Sequence, residues 1–225
     1  MADAERPRKP HAATVEKAVY AGLLGLLLAS YLLTVAAPNT IGGGAAQLAV
    51  AAVALLLVGV GRRVRRLLGG WAGVVIAIAV AVGLAAGLSA AGVDGAADIV
   101  TALLLLGAGV ATLDRLLRVK EITVDTVLAA LSIYLLLAFA FASVFSAVQD
   151  ISGEAFFSDG RFGDRSEFLY FSVVTMTTLG YGDFVSAGSL GRGISALEAL
   201  TGQLFLGTVV ARFVGLLRVP SRASS

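Results

Sequence analysis

The chain has no cysteine and one histidine, and only 14% of its 225 residues are charged. Without cysteine there is no disulfide framework and no thiolate chemistry. The lone His11 lies in a polar tail beside Arg6, Arg8 and Lys9, so a histidine-built metal or catalytic site is not expected. Ordinary soluble domains carry about 25% charged residues. Here apolar residues stand in their place, at 58% of the chain with a mean hydropathy of +0.90. A soluble chain of this length has too little interior to hide so much apolar surface. The surplus faces lipid, which excludes a cytosolic enzyme. The 17 Lys and Arg against 15 Asp and Glu leave +2, too even a balance for a nucleic-acid partner.

Crossing the hydrocarbon core takes about 20 apolar residues. Six segments reach or approach that length: 18–36, 45–61, 71–90, 96–113, 126–148 and 193–217. Between the last two lie a polar stretch, 149–165, and a semi-apolar run from Ser166 to Thr178. That run is too short to cross and is expected to be a re-entrant helix. Six spans put 14 of the 17 Lys and Arg on one side, among them Arg62, Arg63, Arg65, Arg66, Arg115 and Arg118. The excess of basic residues predicts that both termini are cytoplasmic. The first apolar run is longer than a signal-peptide core and reads as an uncleaved span. No tandem or inverted half-chain repeat is visible, which argues against a secondary transporter.

The first four of the six spans, ahead of the last two and the run between them, have the placement of a voltage sensor. A sensor needs basic residues within its fourth span. Residues 99–113 contain no charge, and Arg115 and Arg118 follow only at the end. The placement is sensor-like, but the chemistry is absent.

After the re-entrant run the sequence reads Thr177-Thr178-Leu179-Gly180-Tyr181-Gly182-Asp183. Irregular backbone at membrane depth is tolerated only where protein buries it or where it lines water. Alternating glycines permit positive φ without steric cost, so successive carbonyls can turn the same way. Four copies around an axis would stack rings of carbonyl oxygen that replace the hydration shell of a bare cation. The Thr178 hydroxyl adds a further oxygen, and the preceding helix aims its partial negative C-terminus at the axis.

In these residues the chain resembles potassium channels. Thr178–Asp183 differs from the family's Thr-Val-Gly-Tyr-Gly-Asp filter only by Leu179 for valine. Phe168–Thr177 is similar to the family's aromatic-rich pore helix, and Leu190-Gly191-Arg192 to the opening of its inner helix. The resemblance covers 126–217 and implies ion binding at Thr178, Leu179, Gly180, Tyr181 and Gly182. It further implies a filter backed by Tyr170, Phe171, Thr177 and Asp183, with Gly202 as the gating hinge. Bacterial members commonly have two tryptophans where Tyr170 and Phe171 stand. Tyr170 keeps a donor for Asp183, whereas Phe171 has none for Tyr181. Val174 replaces a buried acid that some members hold behind the filter.

In the family's inner-helix register Ala199, Gln203, Leu206 and Val210 face the cavity. The intramembrane acid Glu198 lies about 100° away. It is expected to bond the pore-helix hydroxyls of Thr175 or Thr177 rather than to bind ions. The 149–167 loop carries Asp150, Glu154, Asp159, Asp164 and Glu167 against Arg161 and Arg165. These acids either concentrate cations at a pore mouth or simply solvate a loop.

The expectation is therefore an all-α membrane protein with six transmembrane helices. A re-entrant pore helix and selectivity filter lie between the fifth and sixth. Residues 1–17 form a cytoplasmic tail, 18–121 a four-helix module without gating charges, 122–217 a potassium channel pore domain and 218–225 a second tail. The implied function is passive K+ conduction in the plasma membrane by a homotetramer, without a cofactor and without an enzymatic step. A weakly selective cation channel is one alternative. A non-conducting sensor or transporter with a vestigial pore loop is another.

Overall fold

Long apolar runs with few breakers favour helices, because in lipid every backbone amide must be satisfied within its own segment. The computed structural model describes residues 10–36, 50–51, 53–54, 94–119 and 121–217. It contains α1 (Pro10–Ala36), α2 (Asp94–Arg118), α3 (Val124–Ser152), α4 (Arg165–Met176) and α5 (Gly188–Leu217). Among the described residues the regular structure is helical apart from one isolated antiparallel bridge, Phe157 to Ser186. Segments of α1, α2, α3 and α5 are long and apolar enough to cross a membrane: Val19–Ala36, Gly95–Arg118, Val124–Ser152 and Gly188–Leu216. The expected spans 45–61 and 71–90 lie outside the described residues, save that residues 50, 51, 53 and 54 are helical.

Each of the four long helices overruns the apolar run that announced it, since hydropathy marks what lipid covers rather than where hydrogen bonding stops. The fourth expected span, 96–113, is a helix from Asp94 to Arg118. Its polar extension is held by an i,i+4 pair in which Arg118 reaches Asp114 at 2.7 Å. The sixth, expected over 193–217, begins at Gly188, so Leu190-Gly191-Arg192 lies inside the helix. The short helix runs Arg165–Met176 rather than to Thr178.

The ends of α3 are written locally. At its start Thr123 and Thr126 form a capping box, the Thr123 amide donating to Thr126 Oγ1 at 2.6 Å. At its end Gly153, with φ of 67°, donates its amide to the Gln149 carbonyl at 2.9 Å, the left-handed cap that glycine adopts without a Cβ penalty. Helix α3 is central, packing against α1, α2, α4 and α5. Gly95 at the start of α2 abuts Asp150 and Ile151 at the end of α3, so the two run antiparallel. The core joins Leu23 and Leu27 of α1, Leu105 of α2, Leu136, Phe139 and Phe145 of α3, and Phe168 and Leu169 of α4. Burial is uneven: 56% of the α3 span is covered within the chain but only 11% of the α5 span. Helix α5 therefore has most of its surface left for other contacts.

Candidate functional site

Helix α4 is only 12 residues long, roughly 18 Å, too short to cross a membrane. Its start is specified by Asp164-Arg165-Ser166-Glu167, a capping box. Asp164 Oδ1 accepts from the Ser166 and Glu167 amides at 2.8 and 2.9 Å, and Glu167 Oε2 accepts from the Asp164 amide at 2.9 Å. Gln149 at the end of α3 grips the residue before this cap: its Nε2 donates to the Gly163 carbonyl at 3.0 Å and its Oε1 accepts the Gly163 amide at 2.7 Å. Below the loop, Phe145, Phe156, Phe157, Phe168, Phe171 and Phe184 form one aromatic cluster, with neighbouring centroids 4.8–5.9 Å apart.

Beyond Met176 the sign of φ alternates. Thr178, Gly180 and Gly182 have φ of 57°, 56° and 80°, and no other residue from 177 to 187 has positive φ. Thr178 is the only non-glycine with positive φ among the described residues. A left-handed non-glycine residue costs about 1–3 kcal/mol, and such strain clusters at functional sites. Amides along the segment fold back onto the end of α4. Thr177 donates to the Val173 carbonyl at 3.0 Å, Thr178 to Thr175 at 2.9 Å, and Leu179 and Gly180 to Val174 at 2.9 and 3.4 Å. Among the described residues no hydrogen bond is donated to the carbonyls of Thr178, Leu179, Gly180, Tyr181 or Gly182. The amides from Thr177 to Gly180 are consumed, and the carbonyls from Thr178 to Gly182 are left open. Such a segment can coordinate a cation.

The chain beyond is tied to the loop before α4. Ser158 donates to the Val185 carbonyl at 2.8 Å and Ala187 to Phe156 at 2.7 Å. The Tyr170 hydroxyl donates to Asp183 Oδ2 at 2.7 Å. Phe171 is buried against Phe145, centroids 5.2 Å apart, in the aromatic cluster rather than beside Tyr181. Tyr181 is 68% exposed and Leu179 56%. Thr177 Oγ1 turns back to the Val173 carbonyl at 2.7 Å.

On α5, Gln203, Leu206 and Val210 are exposed and Ala199 is half-buried. Gln203 Nε2 lies 3.4 Å from Thr178 Oγ1, which brings this stripe to the near end of the 178–182 segment. Glu198 is buried, but its partner is Ser172, not Thr175 or Thr177 as expected. Those threonines lie nearer the end of α4; Ser172 lies where α5 crosses. At Gly202 a Cβ would collide with the Met176 carbonyl oxygen. Close packing thus gives a reason for this glycine independent of the expected hinge.

The acidic loop is not a plain cluster of solvated charge. Asp164 and Glu167 cap α4, and Arg161 pairs with Asp159 and reaches Glu167 at 3.4 Å. Arg161 also lies 5.0 Å over the Phe184 ring. Through its side chain and backbone, Arg161 holds the Asp159 carboxyl below its ordinary pKa. Arg165, expected as a loop cation, reaches across to buried Asp98 on α2 at 2.9 Å.

Residues 129–219, about two-fifths of the chain, match a family model described as an ion channel. The match spans most of α3, all of α4, the alternating segment and α5. No curated protein and no solved structure gave a match. An ion channel domain, with helical structure and four candidate membrane spans among the described residues, supports an ion channel in a membrane.

Proposed function

We propose that the chain is a subunit of a potassium-selective channel. Four copies bring their 178–182 segments around one axis, and the carbonyls of Thr178, Leu179, Gly180 and Tyr181, with the Thr178 hydroxyl, replace the water around K+. The observation that carries this reading is the pairing of alternating positive φ with carbonyls left open from Thr178 to Gly182, while the amides up to Gly180 are turned back onto α4. One chain supplies only one such edge, and a ring needs several. The exposed Leu179, Tyr181, Leu197, Leu200 and Leu204 are apolar surface that neighbouring copies and lipid would cover. In this arrangement α4 is a re-entrant pore helix, α5 lines the cavity through Ala199, Gln203, Leu206 and Val210, and both termini are cytoplasmic in the plasma membrane. Conduction is passive and consumes no substrate.

Planar-bilayer recording of the purified protein, with potassium on one side and sodium on the other, tests this. The current should reverse near the potassium equilibrium potential, and native mass should give four chains. Reversal that follows sodium as closely as potassium, or another stoichiometry, refutes the reading. Weak cation selectivity is favoured by one observation: Phe171 is drawn into the aromatic cluster and offers Tyr181 no donor. An intermediate reversal potential would select that alternative.

A further inference from the structure

A hydroxyl carries one proton, and a backbone carbonyl or an ionised carboxylate can only accept. Ser172 Oγ lies 2.7 Å from the Ala138 carbonyl of α3 and also within hydrogen-bond reach of Glu198 Oε1 on α5. Ser172 and Glu198 are both fully buried. With an ionised Glu198, one proton would face two acceptors and one of the contacts would become a repulsion. With a carboxylic acid the count closes: Glu198 donates to Ser172, and Ser172 donates to Ala138.

The surroundings agree. Glu198 Oε2 is buried without a hydrogen-bond partner. Among the described residues no Lys, Arg or His forms an ion pair with Glu198. The nearby α3 hydroxyl, Tyr134, is committed elsewhere, donating to the Met176 carbonyl at 3.0 Å. A buried carboxylate with neither a cation nor a full set of donors is far costlier than a neutral acid with one idle carbonyl oxygen.

We propose that Glu198 is a positioning residue that works as a neutral acid. Its O–H begins a two-bond chain through Ser172 to Ala138 that fastens the pore helix to both α3 and α5. The grip lies one turn before Met176, whose carbonyl is held by Tyr134 and closely approached by Gly202. Displacement of α5 is thereby transmitted to the helix end from which the 178–182 segment hangs. The hydrogen-bond chain stands independently of what the pore conducts; its effect on the filter rests on the proposed channel function.

Infrared difference spectra of the purified full-length protein, wild type minus Glu198→Gln, test the protonation without any conduction. A protonated-carboxyl carbonyl band should appear at neutral pH in this difference, and it should shift in Ser172→Ala as its partner is lost. Absence of the band, or a band unmoved by Ser172→Ala, overturns the proposal. Thermal stability of the purified protein gives an arm that needs no current. Glu198→Gln keeps a donor and should melt near wild type, whereas Glu198→Ala should lower the folded-to-unfolded ratio about tenfold. If Glu198→Gln is as damaged as Glu198→Ala, a charge rather than a donor is required and the proposal fails. Normal bands and melting with no potassium current would instead refute only the channel reading.

Discussion

Asp98 of α2 and Arg165, the first residue of α4, form an ion pair 2.9 Å apart with Asp98 buried to 1% exposure. The pair joins the helix preceding the ion channel domain to the start of the short helix inside it. Removing one partner of a buried pair strands the other charge, at a cost of about 3–5 kcal/mol, whereas replacing both with neutral groups costs far less. Arg165→Met strands the buried Asp98 carboxylate and should therefore lower the melting temperature sharply, and adding Asp98→Ala should recover much of the loss. Equal damage in the single and double variants, read by thermal denaturation in detergent, would show that the two residues act separately.

At Gly180 the backbone has φ of 56° with open space where a Cβ would stand. The obstacle to alanine there is conformational, about 1–2 kcal/mol for a left-handed residue. That is too little to unfold the helices and enough to turn a carbonyl out of line. Gly180→Ala should abolish current while leaving the fold and its melting temperature nearly unchanged. Current at the wild-type level would remove the 178–182 segment from the ion pathway.

Much of this architecture was legible in the sequence because lipid imposes simple rules. Apolar runs located α1, α2, α3 and α5, and Thr178–Asp183 stood out because alternating glycines between two spans have few other uses. The Asp164-Arg165-Ser166-Glu167 box was also readable, although its acids invite an electrostatic reading first. Other links were not legible. Asp98 with Arg165 and Glu198 with Ser172 are separated by 67 and 26 positions; nothing local marks the first pair, and for Glu198 the sequence pointed to a hydroxyl of α4 but not to Ser172. Gly202 looks the same in sequence whether it bends a helix or makes room for the Met176 carbonyl.

Gly202 can be tested on that distinction. An added Cβ meets backbone of α4, which cannot swing aside as a flexible side chain would. Overpacking of this kind costs about 1–3 kcal/mol. Gly202→Ala should lower thermal stability and disturb conduction together, through displacement of Met176 and the segment after it. A hinge role predicts the other pattern, with altered open probability at wild-type stability.

The loop ahead of α4 should respond to acid. Asp159 accepts from the Arg161 amide at 3.1 Å and from its guanidinium, and these bonds depress its pKa. A depressed folded-state pKa contributes stability that is fully present above the ordinary carboxylate value. It is lost as pH falls through the depressed one. Acidification below the ordinary carboxylate range should loosen this turn. Hydrogen exchange at the Arg161 amide should quicken relative to neighbouring loop amides. Asp159→Asn should exchange faster already at neutral pH; no difference between the two proteins would refute the assignment.

Voltage should act weakly on the pore, and α2 shows why. Transferring one elementary charge across 100 mV is worth about 2.3 kcal/mol, and steep gating takes three or four charges per subunit. Residues 99–113 carry none, and Arg118 is exposed at the helix end in a pair with Asp114. What α2 does have is a mechanical link. Arg212 of α5 donates through one nitrogen to the carbonyls of Leu117 and Val119 at 2.6 and 2.7 Å, placing a cation against the negative end of α2. With Asp98 on Arg165 at the opposite end, α2 is fastened to the ion channel domain at both of its ends. Arg212→Gln should therefore shift open probability by a similar factor at every voltage and leave the slope of conductance against voltage shallow. Records in symmetric potassium, free of divalent ions and polyamines, decide the matter. A steep sigmoid flattened by Arg118→Gln would make α2 a charge-carrying sensor, whereas a uniform shift in Arg212→Gln makes it a strut.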